Sequence, residues 1–261
     1  MGSLTQFAQK KVLDHLLKTA SYSPPGAGAL ALGLSTADPG EDGAGWANPT
    51  YTGYARKAIT MAAASGRAIA QTGAVTFDPC TLGSSVVTHW GLWDQVAAGG
   101  NLLAYGTLSA PKTIVAGNTP SVATGQVTVT FSAGGVFTAI ATLILDWLFR
   151  AQALAQPTDV KIALSTTIPT DGGPNITEPV GNNYGQITLN TWNAATLATP
   201  GLADNNGDIT FAAPSGSWGT IVYGVVYLDT EPFAYVDVTD QAVGVGDTVK
   251  FVSGALDITL N

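Results

Sequence analysis

The sequence predicts a mainly β protein built as two tandem homologous β-sandwich (jelly-roll-like) domains, residues 1–133 and 134–261, each preceded by one α-helix. Three observations predict it. The chain repeats its own residue pattern, in the same order, from end to end. Each half opens on one segment with helical periodicity and continues in short runs that alternate with period two. Turn-forming residues recur every ~8–12 positions, the spacing of sandwiches and jelly rolls, and Gly (31) and Pro (14) are correspondingly numerous.

The repeat can be followed motif by motif. Val12-Leu13-Asp14 in a first helical segment matches Ile144-Leu145-Asp146 in a second. A strand ending in Leu-Ser-Thr follows, residues 30–36 and again 160–166, and a Gly/Pro-rich loop then leads to Tyr54 or Tyr184. Ala74-Val75-Thr76-Phe77 matches Asp208-Ile209-Thr210-Phe211, with Pro79 and Pro214 shortly after. Gly91-Leu92-Trp93-Asp94 matches Val226-Tyr227-Leu228-Asp229, and Ala104-Tyr105 matches Ala234-Tyr235. Residues 116–119 match 245–248, and 125–129 match 254–258. The matched positions lie 129 to 135 residues apart, and the drift falls in loops, where insertions cost little. Ser132-Ala133-Gly134-Gly135 forms the joint.

Taken in order, the first helix is expected to be capped by Ser3, with Gln6 as its capping-box partner. Leu13, Leu16, Leu17 and Ala20 make an apolar stripe, and Gln9, Lys10, Lys11, Asp14 and Lys18 make a polar side. The second helix lies within residues 136–155 and is apolar nearly all round, which places it between the two domains or against another subunit. Asp146 and Arg150 interrupt that stretch below the length of a membrane span and pair at i, i+4. Alternation marks strands at residues 126–131 and 248–260, and Asn206-Gly207 predicts a hairpin turn.

Composition narrows the function. Charged residues are 11% and hydrophobic ones 46%, so the chain is packed rather than disordered, with a surface of Thr, Ser, Asn, Gly and Ala. The net charge of −8 argues against a nucleic-acid surface. It is unevenly divided: residues 1–133 carry seven Lys/Arg and six Asp/Glu, whereas 134–261 carry three and twelve. The single Cys80 excludes an internal disulfide. Residues 1–11 lack a basic start with an apolar core behind it, so no signal peptide is expected.

A search for chemistry finds no set of groups able to act together. His15 and His89 are the two histidines, both in the first copy, and both read as packing or interface residues. Cys80 sits in a Pro-Cys-Thr turn without a neighbour to activate it. Asp94 and Asp229 occupy equivalent positions one domain apart, too far to share a substrate. Asp204-Asn205-Asn206-Gly207-Asp208 lacks the spacing and closing Glu of a calcium loop, and Gly99-Gly100-Asn101 has no helix behind it to cradle a phosphate. No catalytic, cofactor-binding or metal-ligating residue and no cofactor is predicted, and the protein is not expected to be an enzyme.

One set of motifs points further. Leu34-Ser35-Thr36, Tyr54-Ala55-Arg56, Val75-Thr76-Phe77-Asp78-Pro79, Thr88-His89-Trp90-Gly91-Leu92-Trp93-Asp94, Gly99-Gly100-Asn101-Leu102-Leu103-Ala104-Tyr105-Gly106 and Ala116-Gly117-Asn118-Thr119 together resemble a family of small tailed-bacteriophage virion proteins, labelled tail fibre, head fibre or capsid decoration protein. The second copy is looser: Gln186 stands where Arg56 was, and Glu231-Pro232 shortens the Gly-Gly-Asn loop. The resemblance implies a structural protein of the virion. The reading placed first is a capsid decoration or cement protein that stabilises the head shell by non-covalent packing on the major capsid protein, sited on the capsid surface rather than the tail. It would bind copies of itself, as a trimer at a three-fold position, and neither nucleic acid nor membrane. Lys10, Lys11 and Lys18 would face an acidic shell and the acidic second copy would face outward. The alternative is a tail or head fibre component that binds a host-surface glycan, with Trp46, Tyr51 and Trp192 as contact candidates.

Overall fold

The computed structural model describes residues 2–26, 28–132, 135–171, 175–197 and 201–260. It is mainly β with two helices and curled sheets. The first copy runs β1 (Gly2–Leu4), α1 (Gln6–Leu16), β2 (Ala31–Ser35), β3 (Lys57–Ala58), β4 (Ala68–Ala70), β5 (Val75–Thr76), β6 (Ser84–Trp93), β7 (Leu102–Val115), β8 (Ser121–Val122) and β9 (Thr128–Thr130). The second runs α2 (Thr138–Arg150), β10 (Val160–Ser165), β11 (Ile187–Thr188), β12 (Leu202–Asp204), β13 (Ile209–Thr210), β14 (Gly219–Leu228), β15 (Glu231–Val243), β16 (Lys250–Phe251) and β17 (Asp257–Thr259). Of the Ser132–Gly135 joint, Ala133 and Gly134 lie outside the described residues.

The same ladder is built twice. A long hairpin, β6–β7 or β14–β15, pairs antiparallel with the Leu-Ser-Thr strand, β2 or β10, which pairs in turn with a short edge strand, β3 or β11. In the first copy β1 bonds to β7 on one side and, in parallel, to β9 on the other, so seven strands join in the order β3-β2-β6-β7-β1-β9-β4. The second copy replaces β1 by a single bridge, Val136 to Ala234. Its corresponding sheet therefore stops at four strands, with β12–β17 and β13–β16 as separate pairs.

The repeated motifs do the same work in both halves. Ser35 and Ser165 are fully buried. The Ser35 Oγ accepts the Ala37 and Ala47 N–H groups, and the Ser165 Oγ accepts those of Thr167 and Thr177. Each serine thereby staples the loop after its strand. The hydroxyls of Tyr54 and Tyr184 accept the N–H groups of Leu34 and Leu164 at 2.8 and 2.9 Å. Their rings stack on Phe77 and Phe211 at 6.2 and 6.3 Å. One match shifts by a residue. Gly33 faces Gly91 and Ala163 faces Val225, so Trp93 corresponds to Tyr227 rather than to Leu228. A one-residue slip moves a side chain to the other face of the sheet, and strand pairing, unlike residue similarity, detects it.

Several local expectations are corrected. The first helix is capped by Thr5, whose side chain accepts the Ala8 N–H, while Ser3 lies within β1. The apparent strand at 248–260 is two strands separated by a turn at Gly254 (φ 74°). Asn206-Gly207 links β12 to β13, which pair with β17 and β16 rather than with each other, so the turn makes no hairpin. Alternation and turn residues describe the chain locally, whereas partner choice depends on the far end of the sequence.

α2 buries Ile140, Ala141, Ile144, Leu145, Trp147, Leu148 and Phe149, and its N-cap Phe137 makes no side-chain cap. Packing rather than capping holds it. Among the described residues no helix is long and apolar enough to cross a membrane. α1 departs from the expected one-sided pattern, because Gln9, Asp14 and His15 on its polar side are buried as well. The reason is the other copy: a single apolar cluster runs through both halves and includes residues of both helices.

Candidate functional site

The two histidines, the cysteine and the matched aspartates Asp94 and Asp229 all have internal partners. His15 stacks on Trp147 at 4.6 Å. Its Nε2 donates to the Leu154 carbonyl at 2.9 Å, and its Nδ1 accepts the Tyr22 N–H. Burial pushes its pKa below the ordinary value, so the neutral ring is the stable form and both nitrogens are occupied. His89 Nδ1 bonds to the Thr88 hydroxyl, and Nε2 lies 3.8 Å from Asp38. Cys80 is buried, its Sγ directed at the Leu82 and Gly83 carbonyls. Asp94 accepts both the backbone and side-chain N–H groups of Asn101, closing the β6–β7 loop. Asp229 accepts the Thr158 and Asp159 N–H groups at the head of β10.

The acidic stretch from Asp204 to Asp208 is a structural hub. Asn205 is fully buried. It donates to the Gly207 and Val252 carbonyls and accepts the Ala255 and Leu256 N–H groups. Asp204 turns to Asn193, and Asp208 to Lys250 and the Ser253 N–H. Among the described residues no group of three or more His, Cys, Asp or Glu is placed to hold a metal ion.

Of the three aromatics expected to contact a glycan, two are core residues: Tyr51 is 3% exposed and Trp192 5%. Tyr51 sits edge-on to Tyr54, and Trp192 donates to the Leu189 carbonyl. Trp46 alone is half-exposed. It lies across Gly33 and Gly91, edge-on to Trp93 at 5.1 Å, and its Nε1 donates to Asn48. Beside it the Arg56 guanidinium rests 3.4 Å from the Trp93 ring centroid and donates to the Ala97 and Gly99 carbonyls. A cleft of about 330 Å³ opens between Asn48, Tyr54, Arg56 and residues 96–99. Arg56 was legible only as a motif position, and nothing local signalled its seat on Trp93.

The glycine floor is specific to this copy, because the second has Ala163 and Val225 with Ile176 packed nearby. A Cβ on Gly91 would lie 2.5 Å from both Trp46 and Leu102 atoms. Gly91→Val, which installs the second copy's residue, is expected to lift Trp46 off the sheet and cost about 1–3 kcal/mol. A red-shifted tryptophan emission with a lowered unfolding midpoint would register this, and unchanged emission would contradict it.

The three lysines expected to face a shell have partners within the molecule. Lys10 donates to Asp14 and to the Ala195 carbonyl at 2.7 Å, and Lys18 reaches the Thr158 carbonyl. Lys11 lies over the rings of Phe7 and Tyr22. Two of the three are therefore spent on the other copy.

A family profile described as Podophage GP4 fiber I protein gp80 matches the chain twice, over residues 3–130 and 135–259. No curated protein matches the chain. The repeat seen in motifs, ladders and ring stacks is thus two copies of one phage fibre unit, and the chain is a fibre-related virion protein. With both copies matched over nearly their whole length, it belongs to the podophage GP4 fiber I protein gp80 family.

Proposed function

We propose that the protein is a non-catalytic building block of a phage tail fibre, a two-copy body that holds neighbouring subunits by packing and performs no reaction. The observation that carries this reading is the fibre-family match over both copies. The internal use of His15, His89, Cys80, Asp94 and Asp229 agrees with it. Its partners are other fibre subunits and further copies of the chain. The engagement of Lys10 and Lys18 within the molecule removes the charge argument for a seat on the capsid. Immunogold labelling of intact particles is expected to decorate the tail appendages. Label spread over the head would overturn this reading and restore a decoration protein on the major capsid protein.

A second reading, contact with a host glycan, is favoured by one place alone, the Arg56 cleft beside the half-exposed Trp46. The second copy carries Gln186 there, bonded to Glu178. Arg56→Gln reproduces that side chain and leaves Trp46 seated. If the cleft engages the host, particles carrying this variant adsorb at least about tenfold less, the equivalent of ~1.4 kcal/mol. Unchanged adsorption excludes the cleft.

A further inference from the structure

The two copies meet through equivalent residues. Asp14 Oδ1 accepts the Ala195 N–H at 3.1 Å, and Asp146 Oδ1 accepts the Ala64 N–H at 2.8 Å. Asp14 and Asp146 end the same apolar–Leu–Asp motif, and Ala64 and Ala195 are related by nearly the same offset. α1 packs against β12 of the second copy, and α2 against β4 of the first. His15 stacks on Trp147, its own counterpart in the repeat. In a two-fold interface every contact recurs with the partners exchanged, and residues at the axis meet their own equivalents. Two domains that merely share a linker have no reason to satisfy either condition.

We propose that the surface joining the copies is an isologous self-recognition surface whose partner is a second body of this same fold, and that it recognises that partner without needing the covalent joint. Each copy brings one helix and one seat. The side of the helix that carries the aspartate turns to the other copy, and the aspartate takes up a backbone N–H there. α2 makes the equivalent contact with β4 of the first copy, and most of its apolar residues are buried.

The test uses the full chain with a protease-recognition sequence inserted between Ser132 and Gly135, cut after folding. The cut halves are expected to co-elute as one particle, and to exchange partners when mixed with a cut, tagged preparation. In the cut Asp14→Ala/Asp146→Ala protein they are expected to separate. In Asp14→Asn/Asp146→Asn, which keeps the accepting oxygen, they stay together. Wild-type halves that part on cutting, whether or not they remain folded, would overturn the proposal. So would alanine variants that hold together as the wild type does. Should the alanine protein fail to fold before cutting, the wild-type and asparagine proteins still decide.

Discussion

Asn205→Ala is expected to lower the unfolding free energy by about 2–3 kcal/mol, whereas Asn206→Ala, one residue on, changes it by less than about 0.5 kcal/mol. The two asparagines are indistinguishable by composition, and both belong to a polar stretch that reads as a surface turn. Their surroundings differ completely. Asn205 is fully buried and its amide serves four backbone groups, on Gly207, Val252, Ala255 and Leu256. Removing it takes the side-chain partner from the buried Leu256 N–H and from the Gly207 carbonyl, at about 1–3 kcal/mol for each such group, whereas the Ala255 N–H and the Val252 carbonyl still bond to each other. Asn206 is exposed. The first copy supports the argument independently. There the buried Gln71 accepts the Val127 N–H and donates to the Gly73 and Ala123 carbonyls. Urea unfolding of the two variants side by side is the measurement, and equal losses would refute the hub.

Arg67→Ala is expected to cost about 2–3 kcal/mol, less than a fully buried ion pair because its partner Asp171 is partly exposed. Arg67 itself is 13% exposed at its side chain. It forks onto both carboxylate oxygens of Asp171 in the second copy and donates to the Ser132 and Val136 carbonyls on either side of the joint. The guanidinium holds the Asp171 carboxyl below the usual carboxylate range. Because the folded pKa is depressed, this contribution is present above the unfolded value of about 3.9 and is lost as pH falls through the folded one. Wild-type stability should therefore drop below about pH 4 by an amount that Arg67→Ala no longer shows. Parallel acid titrations of the two proteins would reveal the difference, and superimposable curves would remove Asp171 from the account.

The duplication could be read from residues because each shared motif answers a local demand. A serine must close the loop after a strand, a tyrosine must cap the neighbouring backbone, and an aromatic must stack beneath it. Such demands tolerate few substitutes, so Ser35 and Ser165, Tyr54 and Tyr184, Phe77 and Phe211 survive in both copies. The motif ending in Asp14 and Asp146 was equally visible, yet its purpose was not. Local reading placed Asp14 on the solvent side of an amphipathic helix, and only the second copy explains its burial.

Tyr51 and Trp192 show the same limit from the other direction. A loop aromatic looks available in a sequence, because burial is a property of what folds over it and not of the residue. Residue order by itself determined that the chain is β-rich, duplicated and low in charge, since periodicity, repetition and composition are counted along the backbone. Only the tertiary structure decided which strands pair, which polar groups are buried and how the copies grip each other, because those depend on contacts between segments distant in the chain, up to 181 residues apart.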